Sequence, residues 1–355
     1  MNIILSDIMK KNDYNAGSKA RNDVRDILSQ KGFATHVVFN RNHNLFLKTI
    51  ELIGSMKHLD SFVDAGDIIV LQYPYNIKIA RRVTDFLVKI KQRKKVKLVY
   101  LLHDVYYIRG DQALEKDKLK SEEVYIFNHT DCLIVHNERM KAKLASDGVK
   151  TRMVSIKLFD YLTDTVPNEG FEHEGVVVDI AGNLAYEKSS YLYSLNKIKE
   201  VQFNLYGNGY NGDQHNVNYL GSFQPEQLVG SLVGDYGLVW DGQSINKCEG
   251  SYGNYLKYNN PHKMSLYLAA NKPVIVWSES ALAEFVKQKQ IGICVSSLSE
   301  LCSIPSRMTA EYQKMVENVK LISKKIRYGG FLLSALTEVQ NVEDETEQRG
   351  STECT

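Results

Sequence analysis

"YLKYNNPHKMSLYLAANKPVIVW", residues 255–277, holds a loop, a helix and a buried strand in one run. Asn260 has the chemistry of a helix N-cap. Pro261 suits the first helical position, where its missing N–H is not needed. Met264, Tyr267, Leu268 and Ala270 then recur at roughly helical spacing. Asn271 tolerates the left-handed conformation that ends a helix, and Pro273 prevents its continuation. "VIVW" (274–277) reads as a strand buried on both faces, as strands of parallel sheets are. His262 and Lys263 fall in the first helical turn, where a cation opposes the helix dipole by about 0.3–1 kcal/mol. A bound anion reverses that sign, because the free N–H groups, Lys263 and His262 would then converge on a phosphate. A solvated lysine on a short surface helix fits the local chemistry equally well.

The same alternation extends in both directions. Toward the C-terminus "QIGICVSS" follows as a short strand, then a long amphipathic helix from about Thr309 and an acidic polar tail from about Asn341. Toward the N-terminus come "YGLVWDG", "VQFNLYGNG" and "GVVVDIAGN", each an apolar run closed by glycine or a polar residue. "DTVPNEGFEHEG" (164–175) reads as a linker. Before it, strands are predicted at Asn2–Leu5, Thr35–Asn40, Asp67–Pro74, Lys97–Asp104 and Asp131–Asn137, with helices at Val24–Lys31 and about Asn76–Lys91. Residues 6–23 read as a polar loop. The expected fold is α/β, with two Rossmann-like doubly wound domains and a cleft between them. The first spans 1–163 and the second 175–308. A C-terminal helix at 309–340 packs back across the domains, and 341–355 is a frayed tail.

Composition narrows the function classes. The chain is 43% hydrophobic and 24% charged, ordinary for a soluble globular protein. A formal net charge of +2 is too weak to argue for nucleic acid. Five scattered cysteines with no C-x-x-C pair support neither a zinc site nor a disulfide framework. No apolar run reaches the ~18 residues of a membrane span, and the first twenty residues lack a signal-peptide pattern. The expected location is the cytoplasm. The basic run Lys89–Lys97 reads first as a solvated helix end and second as a peripheral contact with the inner face of a membrane.

In doubly wound sheets ligands bind beyond the carboxyl ends of the strands, so chemistry is sought there. Gly182 and Asn183 close one strand with Lys188 a few residues on, a backbone-access point with a cation, or simply a turn with a surface lysine. The loop at Gly207 follows the next strand but lacks G-x-G-x-x-G, so no dinucleotide fingerprint is present. Phe223 offers a flat face for a base or ordinary core packing. Asp241 and Gly242 open a long polar loop that runs through Tyr255 into the Asn260 helix, and such loops are more often functional than not. In the first half His103 and Asp104 close a buried strand, with Arg109 just beyond. Either His103 or Asp104 could act as a general base, with Asp104 the first choice, or Asp104 could cap the next segment. Gly17, Lys19 and Arg21 surround the first strand-to-helix turn, where they either contact substrate or solvate a helix.

Together "NAGSKAR", "LLHDVYYIRG", "IKLFDYL", "AGNLAYEK", "YLGSF", "GLVWDG", residues 250–277 and "ALAEFV" occur in an order that resembles bacterial glycosyltransferases of the GT-B architecture. The nearest likeness is to β-1,6-galactofuranosyltransferases of O-antigen, capsule and related polysaccharide synthesis. Glucosyltransferases that extend glycans on streptococcal serine-rich adhesins are more distant. The resemblance implies a UDP-sugar donor held by the second domain, an acceptor held by the first, and no cofactor or metal. Lys188, Lys263 and the helix opened by Asn260 would stabilise the diphosphate. Phe223 and the Gly207 loop would face the uracil, with Asp241, Gly242 and Tyr255 near the ribose or sugar. It further implies inverting transfer of galactofuranose to a primary hydroxyl of a lipid-linked sugar, and a homo-oligomer is compatible with it. The alternatives are a UDP-glucose or UDP-galactopyranose transferase, a UDP-sugar epimerase, and a non-catalytic partner protein.

Overall fold

The computed structural model describes residues 3–7, 16–38, 45–74, 77–110, 116–170 and 173–352. The first domain runs β1 (Ile3–Asp7), α1 (Ala16–Gln30), β2 (Ala34–Val38), α2 (Leu45–Phe62), β3 (Ile68–Tyr73) and α3 (Ile77–Lys94). It continues through β4 (Lys97–Leu102), α4 (Tyr106–Arg109), α5 (Lys116–Asn128), β5 (Cys132–Val135), α6 (Glu138–Ser146) and β6 (Arg152–Ser155). Its six strands lie in the order β2-β1-β3-β4-β5-β6 and pair in parallel throughout. All six residues of β3 are buried, as are five of the six in β4. That is why these runs lack the alternation of a half-exposed strand.

The second domain begins with β7 (Val176–Asn183), α7 (Tyr186–Ser189), β8 (Val201–Asn208), β9 (Val217–Gly221), α8 (Pro225–Ser231) and β10 (Tyr236–Val239). Then follow α9 (Gly250–Tyr255), α10 (His262–Ala269), β11 (Val274–Trp277), α11 (Ala283–Lys289) and β12 (Gly292–Val295). This sheet is also parallel, in the order β12-β11-β10-β7-β8-β9. The strand order reverses between β1 and β3 in one domain and between β7 and β10 in the other. Both reversals are places where doubly wound sheets bind ligands.

Four expectations change. Helix α1 starts at Ala16, eight residues before the predicted Val24. Its polar first half read as a loop, yet Ser18, Lys19, Arg21 and Asp23 are all buried. Lys19 pairs with Asp23, and Arg21 donates to the carbonyls of Gln72 (3.1 Å) and Pro74. The single helix expected from Thr309 is two, α12 (Ala310–Arg327) and α13 (Gly330–Thr352), broken where Gly329 turns left-handed at φ +77°. The tail expected to fray from Asn341 continues α13 as far as Thr352. Strand β9, helix α2 and strand β6 were not predicted.

The basic run forms the last turn of α3, where cations suit the helix dipole. Lys91 pairs with Asp131, Arg93 with Asp60, and Lys94 donates to the carbonyls of Asp60 and Val63. Much of its charge is therefore used within the domain. Among the described residues no helix is long and apolar enough to cross a membrane.

The two domains share a seam of buried polar bonds. Asn260 does not cap α10, as the sequence suggested; Pro261 holds the cap position with no side-chain cap bond. The Asn260 amide instead donates to the carbonyls of His136 (2.6 Å) and Lys157 (2.8 Å) and accepts from Asn137 Nδ2 (2.7 Å). Its backbone N–H donates to His136 Nδ1 at 2.8 Å. Asn137 also caps α6 through Met140 N and donates to the Tyr258 carbonyl. Beside this knot, Ser265 donates to the Phe159 carbonyl at 2.6 Å. Helix α13 then returns to the first domain. Asp160 accepts from the N–H groups of Phe331 (3.1 Å) and Leu332 (2.8 Å), and Arg152 donates to the carbonyls of Glu338 and Val339 two turns further on. One apolar core joins α1 and the first sheet to α10, α12 and α13.

Replacing Asn260 with alanine removes several of these bonds at once and leaves buried carbonyls unpaired. We expect a loss of about 2–4 kcal/mol in urea denaturation. A loss under about 0.5 kcal/mol would show that the seam is held elsewhere.

Candidate active site

A cleft of about 640 Å³ opens between the two domains, lined by the ends of β4 and β5 and by α1 on one side and by the ends of β7, β8 and β10 on the other. Its size is typical of a site for a small organic ligand. From the second domain come Gly182 and Asn183 at the end of β7, Gly207 at the end of β8, Phe223, Asp241 beyond β10, and Lys188 and Lys263. The first domain supplies Lys19, His103, Asp104, Arg109 and His136.

The donor-side residues differ in what they are free to do. Lys263 donates to Asp241 Oδ1 (2.9 Å) and to the Trp240 carbonyl (3.1 Å). Burial lowers its pKa, Asp241 opposes that shift, and the nearby Lys188 adds to it. Lys188 lies 5.4 Å from the ring centre of Tyr252. Asn183 Oδ1 accepts from Ala185 N at 3.0 Å and fixes the turn into α7. Gly207 is required by its neighbour: a Cβ there would sit 1.8 Å from the Gly182 carbonyl oxygen. Phe223 packs on Tyr206, with ring centres 5.8 Å apart, while lining the cleft.

One assignment is revised, and two gain structural partners. Gly242 is not on the cleft wall; its N–H donates to the Lys188 carbonyl at 3.2 Å and tethers the loop behind it. Tyr255 lines the cleft as expected, while its ring packs into the first domain's core and its hydroxyl accepts from Val105 N at 3.0 Å, so it also clasps the domains. His262 donates through Nε2 to the Asp160 carbonyl at 3.1 Å and stacks on Tyr161. It lines the cleft, and burial pulls its pKa down to about 4, so it faces a ligand as a neutral ring and not as a cation.

The acceptor-side residues are also ordered by their partners. Lys19 and Arg21 lie within α1, with Lys19 donating to the Leu162 carbonyl at 2.7 Å in addition to its Asp23 pair. Lys19 thus lines the cleft as expected while also serving the framework, and Arg21 serves the framework. Gly17 is in the first turn of the same helix. Asp104 forms an ion pair with Arg109 at 2.8 Å. His103 stacks on Phe159, with ring centres 5.3 Å apart and planes within 10°. Its Nε2 bonds Gln72 Oε1 at 2.7 Å. Burial holds its pKa well below the usual imidazole range, and Arg21, His136 and His262 push the same way. His136, with a pKa lowered to about 4 by burial, completes the floor.

Residues 2–158 match the N-terminal domain of the glucosyltransferase 3-like family, and residues 178–339 match its C-terminal domain. The chain belongs to the glucosyltransferase 3-like family. The β-1,6-galactofuranosyltransferase WbbI of Escherichia coli K12 is 34% identical to it over 337 residues, covering 91% of this chain and 94% of that one. Glucosyltransferase 3 of Streptococcus gordonii is 27% identical over 328 residues, with 90% and 94% covered. The fold is shared with sucrose-phosphate synthase of Thermosynechococcus elongatus, at a TM-score of 0.64 and 13% identity over 98% of this chain and 100% of that one. It is shared too with Anabaena HepE, solved with UDP and glucose, at a TM-score of 0.59 and 12% identity over 97% and 100%. This glucosyltransferase 3-like chain is therefore a glycosyltransferase of the GT-B architecture.

Sequence reasoning passed over His136, Asn137, Tyr252 and Gln72. The first two close β5 as His103 and Asp104 close β4, so the strand-end rule could have found them. Nothing local marks Gln72, which lies inside β3. Glu123 was equally silent. Helix α4 carries Arg109 but has no side-chain cap of its own, and the Glu123 carboxylate on α5 accepts from Tyr106 N (3.0 Å), Tyr107 N (2.8 Å) and the Tyr73 hydroxyl (2.9 Å). Burial raises its pKa to about 7. A raised carboxyl pKa stabilises the fold below its unfolded value, about 4.5, and that contribution is lost as pH rises through 7. Glu123→Gln removes the titration. Its stability relative to the parent should therefore rise by about 1–3 kcal/mol between about pH 5 and about pH 8. A pH-independent difference in denaturation midpoints would contradict the assignment.

Proposed function

We propose that this glycosyltransferase moves galactofuranose from UDP-galactofuranose to the 6-hydroxyl of a hexose in a lipid-linked acceptor, with inversion and without a metal. The carrying observation is the end-to-end similarity to WbbI, whose name specifies β-1,6-galactofuranosyl transfer. The cleft supports a nucleoside diphosphate sugar. Lys188, the first turn of α10 and the Lys263–Asp241 pair lie together on its second-domain side. Preorganised donors there stabilise the charge that grows on the diphosphate as the glycosidic bond breaks. Phe223 provides a flat apolar face for the uracil.

In a single displacement the acceptor oxygen attacks the anomeric carbon, the carbon–oxygen bond to the diphosphate breaks, and one base takes the hydroxyl proton. We assign that base to His103 in preference to Asp104. The Asp104 carboxylate is engaged by Arg109, whereas the neutral ring of His103 keeps a lone pair for the proton. An anionic diphosphate in the same cleft stabilises the imidazolium as it forms. The Asp104–Arg109 pair remains available to orient acceptor hydroxyls. A second reading, glucose transfer from UDP-glucose to a glycan or glycoprotein, draws on the streptococcal glucosyltransferase 3 relatives.

The deciding measurement is transfer from a panel of UDP-sugars to octyl glycosides, with products read by mass spectrometry and NMR. A β-1,6-galactofuranosyl product is expected; transfer from UDP-glucose alone would replace the first reading with the second. Lys188→Ala should weaken UDP binding about 10-fold or more, read by calorimetry. Lys263→Ala should weaken it too and slow transfer, whereas unchanged values would remove these lysines from the diphosphate site. His103→Gln should cut kcat by about 10²–10⁴ while UDP still binds. Near-normal turnover there, with loss in Asp104→Asn, would return the role to Asp104.

A further inference from the structure

We infer that Gln72, a fully buried residue inside β3, is a positioning residue that sets the tautomer of His103 and aims its Nδ1 lone pair at the acceptor hydroxyl. The inference rests on the assignment of His103 as base. Gln72 is 0% exposed, and both ends of its amide are engaged. Gln72 Nε2 donates to the backbone carbonyl of Arg21 at 3.2 Å. A carbonyl oxygen only accepts, so the amide cannot be turned over without losing that bond. Its Oε1 is therefore the atom 2.7 Å from His103 Nε2. An amide oxygen also only accepts, so Nε2 must carry the hydrogen. In a neutral imidazole the other nitrogen, Nδ1, then holds the lone pair.

Two further contacts stiffen the arrangement. Arg21 donates back to the Gln72 carbonyl at 3.1 Å, which closes a reciprocal pair between α1 and β3. Phe159 stacks on the imidazole and restricts its rotation. Nδ1 makes no hydrogen bond among the described residues, and the ring lines the cleft. The titratable groups around it are Arg21 on α1, His136 beyond β5, His262 on α10, and Asp104 with its Arg109 partner. None of them offers a carboxylate to Nε2. The amide thus fixes the tautomer without fixing a charge, and the ring stays neutral until it takes the acceptor's proton. The attacking oxygen bonds to the anomeric carbon, its proton goes to Nδ1, and the electron pair of the broken bond leaves on the diphosphate.

The test compares Gln72→Met and Gln72→Glu with the parent and with His103→Gln. Methionine matches the length of glutamine but accepts poorly, so kcat should fall about 10-fold or more with UDP affinity within about twofold. Glutamate still accepts from Nε2 and stabilises the imidazolium, so it should retain more activity than methionine. Its acidic limb in kcat/KM should move up by about one pH unit or more. Parent-like kcat and pH profile in both variants, with His103→Gln inactive, would overturn the role of Gln72 and leave the base standing. An active His103→Gln would remove the base and Gln72 together. A direct readout needs no variant: ¹⁵N shifts of labelled histidine in the parent protein should show an unprotonated Nδ1 at His103. A protonated Nδ1 would overturn the inference even if the variants fail to fold.

Discussion

The bonds around Asn260 are the constraint on which the rest of the structure depends. One short amide accepts from and donates to the first domain while its own backbone N–H reaches an imidazole beyond β5. Unpaired, those groups would each cost on the order of 1–3 kcal/mol in a dry seam. Paired, they dictate one register between the domains. That register places the start of α10 opposite the end of β4, so the candidate base and the candidate phosphate-binding lysines share one cavity. Catalysis by orientation requires such fixed spacing between groups carried on different sheets.

The cleft has a division of labour that follows from burial. Most of its basic side chains are already committed: Lys19 to Asp23, Lys263 to Asp241 and Arg109 to Asp104. The histidines are held neutral by desolvation. The site is polar and nearly charge-balanced rather than a pool of free cations. An anionic donor can enter such a site without making the unliganded protein self-repulsive, and Lys188, facing an aromatic ring, is well placed to meet it.

How much of this was legible depended on how locally each feature was specified. Strands β3, β4 and β5 announce themselves because a parallel sheet buries both faces, and the apolar runs are continuous. Strand ends follow from strands, so His103, Asp104, Gly182 and Asp241 were found with them. The polar half of α1 was misread because its charges are buried through partners far along the chain, such as the carbonyls of Leu162 and Gln72. Asn260 was misread for a related reason. Its local chemistry is that of a cap, but the tertiary partners offer more bonds than a helix end does. Gln72 and Glu123 are invisible to any local rule, since their roles exist only once separate elements meet.

The path of α13 also ties the two halves a second time. The chain leaves the first domain beyond Tyr161, crosses back at Gly329 and packs against β6 and α1. The domains are therefore linked twice, once by the stretch that joins the two sheets and once by a helix that belongs to the second half yet lies on the first. Cutting the linker alone would not free the first domain, because α13, still covalently part of the second half, stays packed on it.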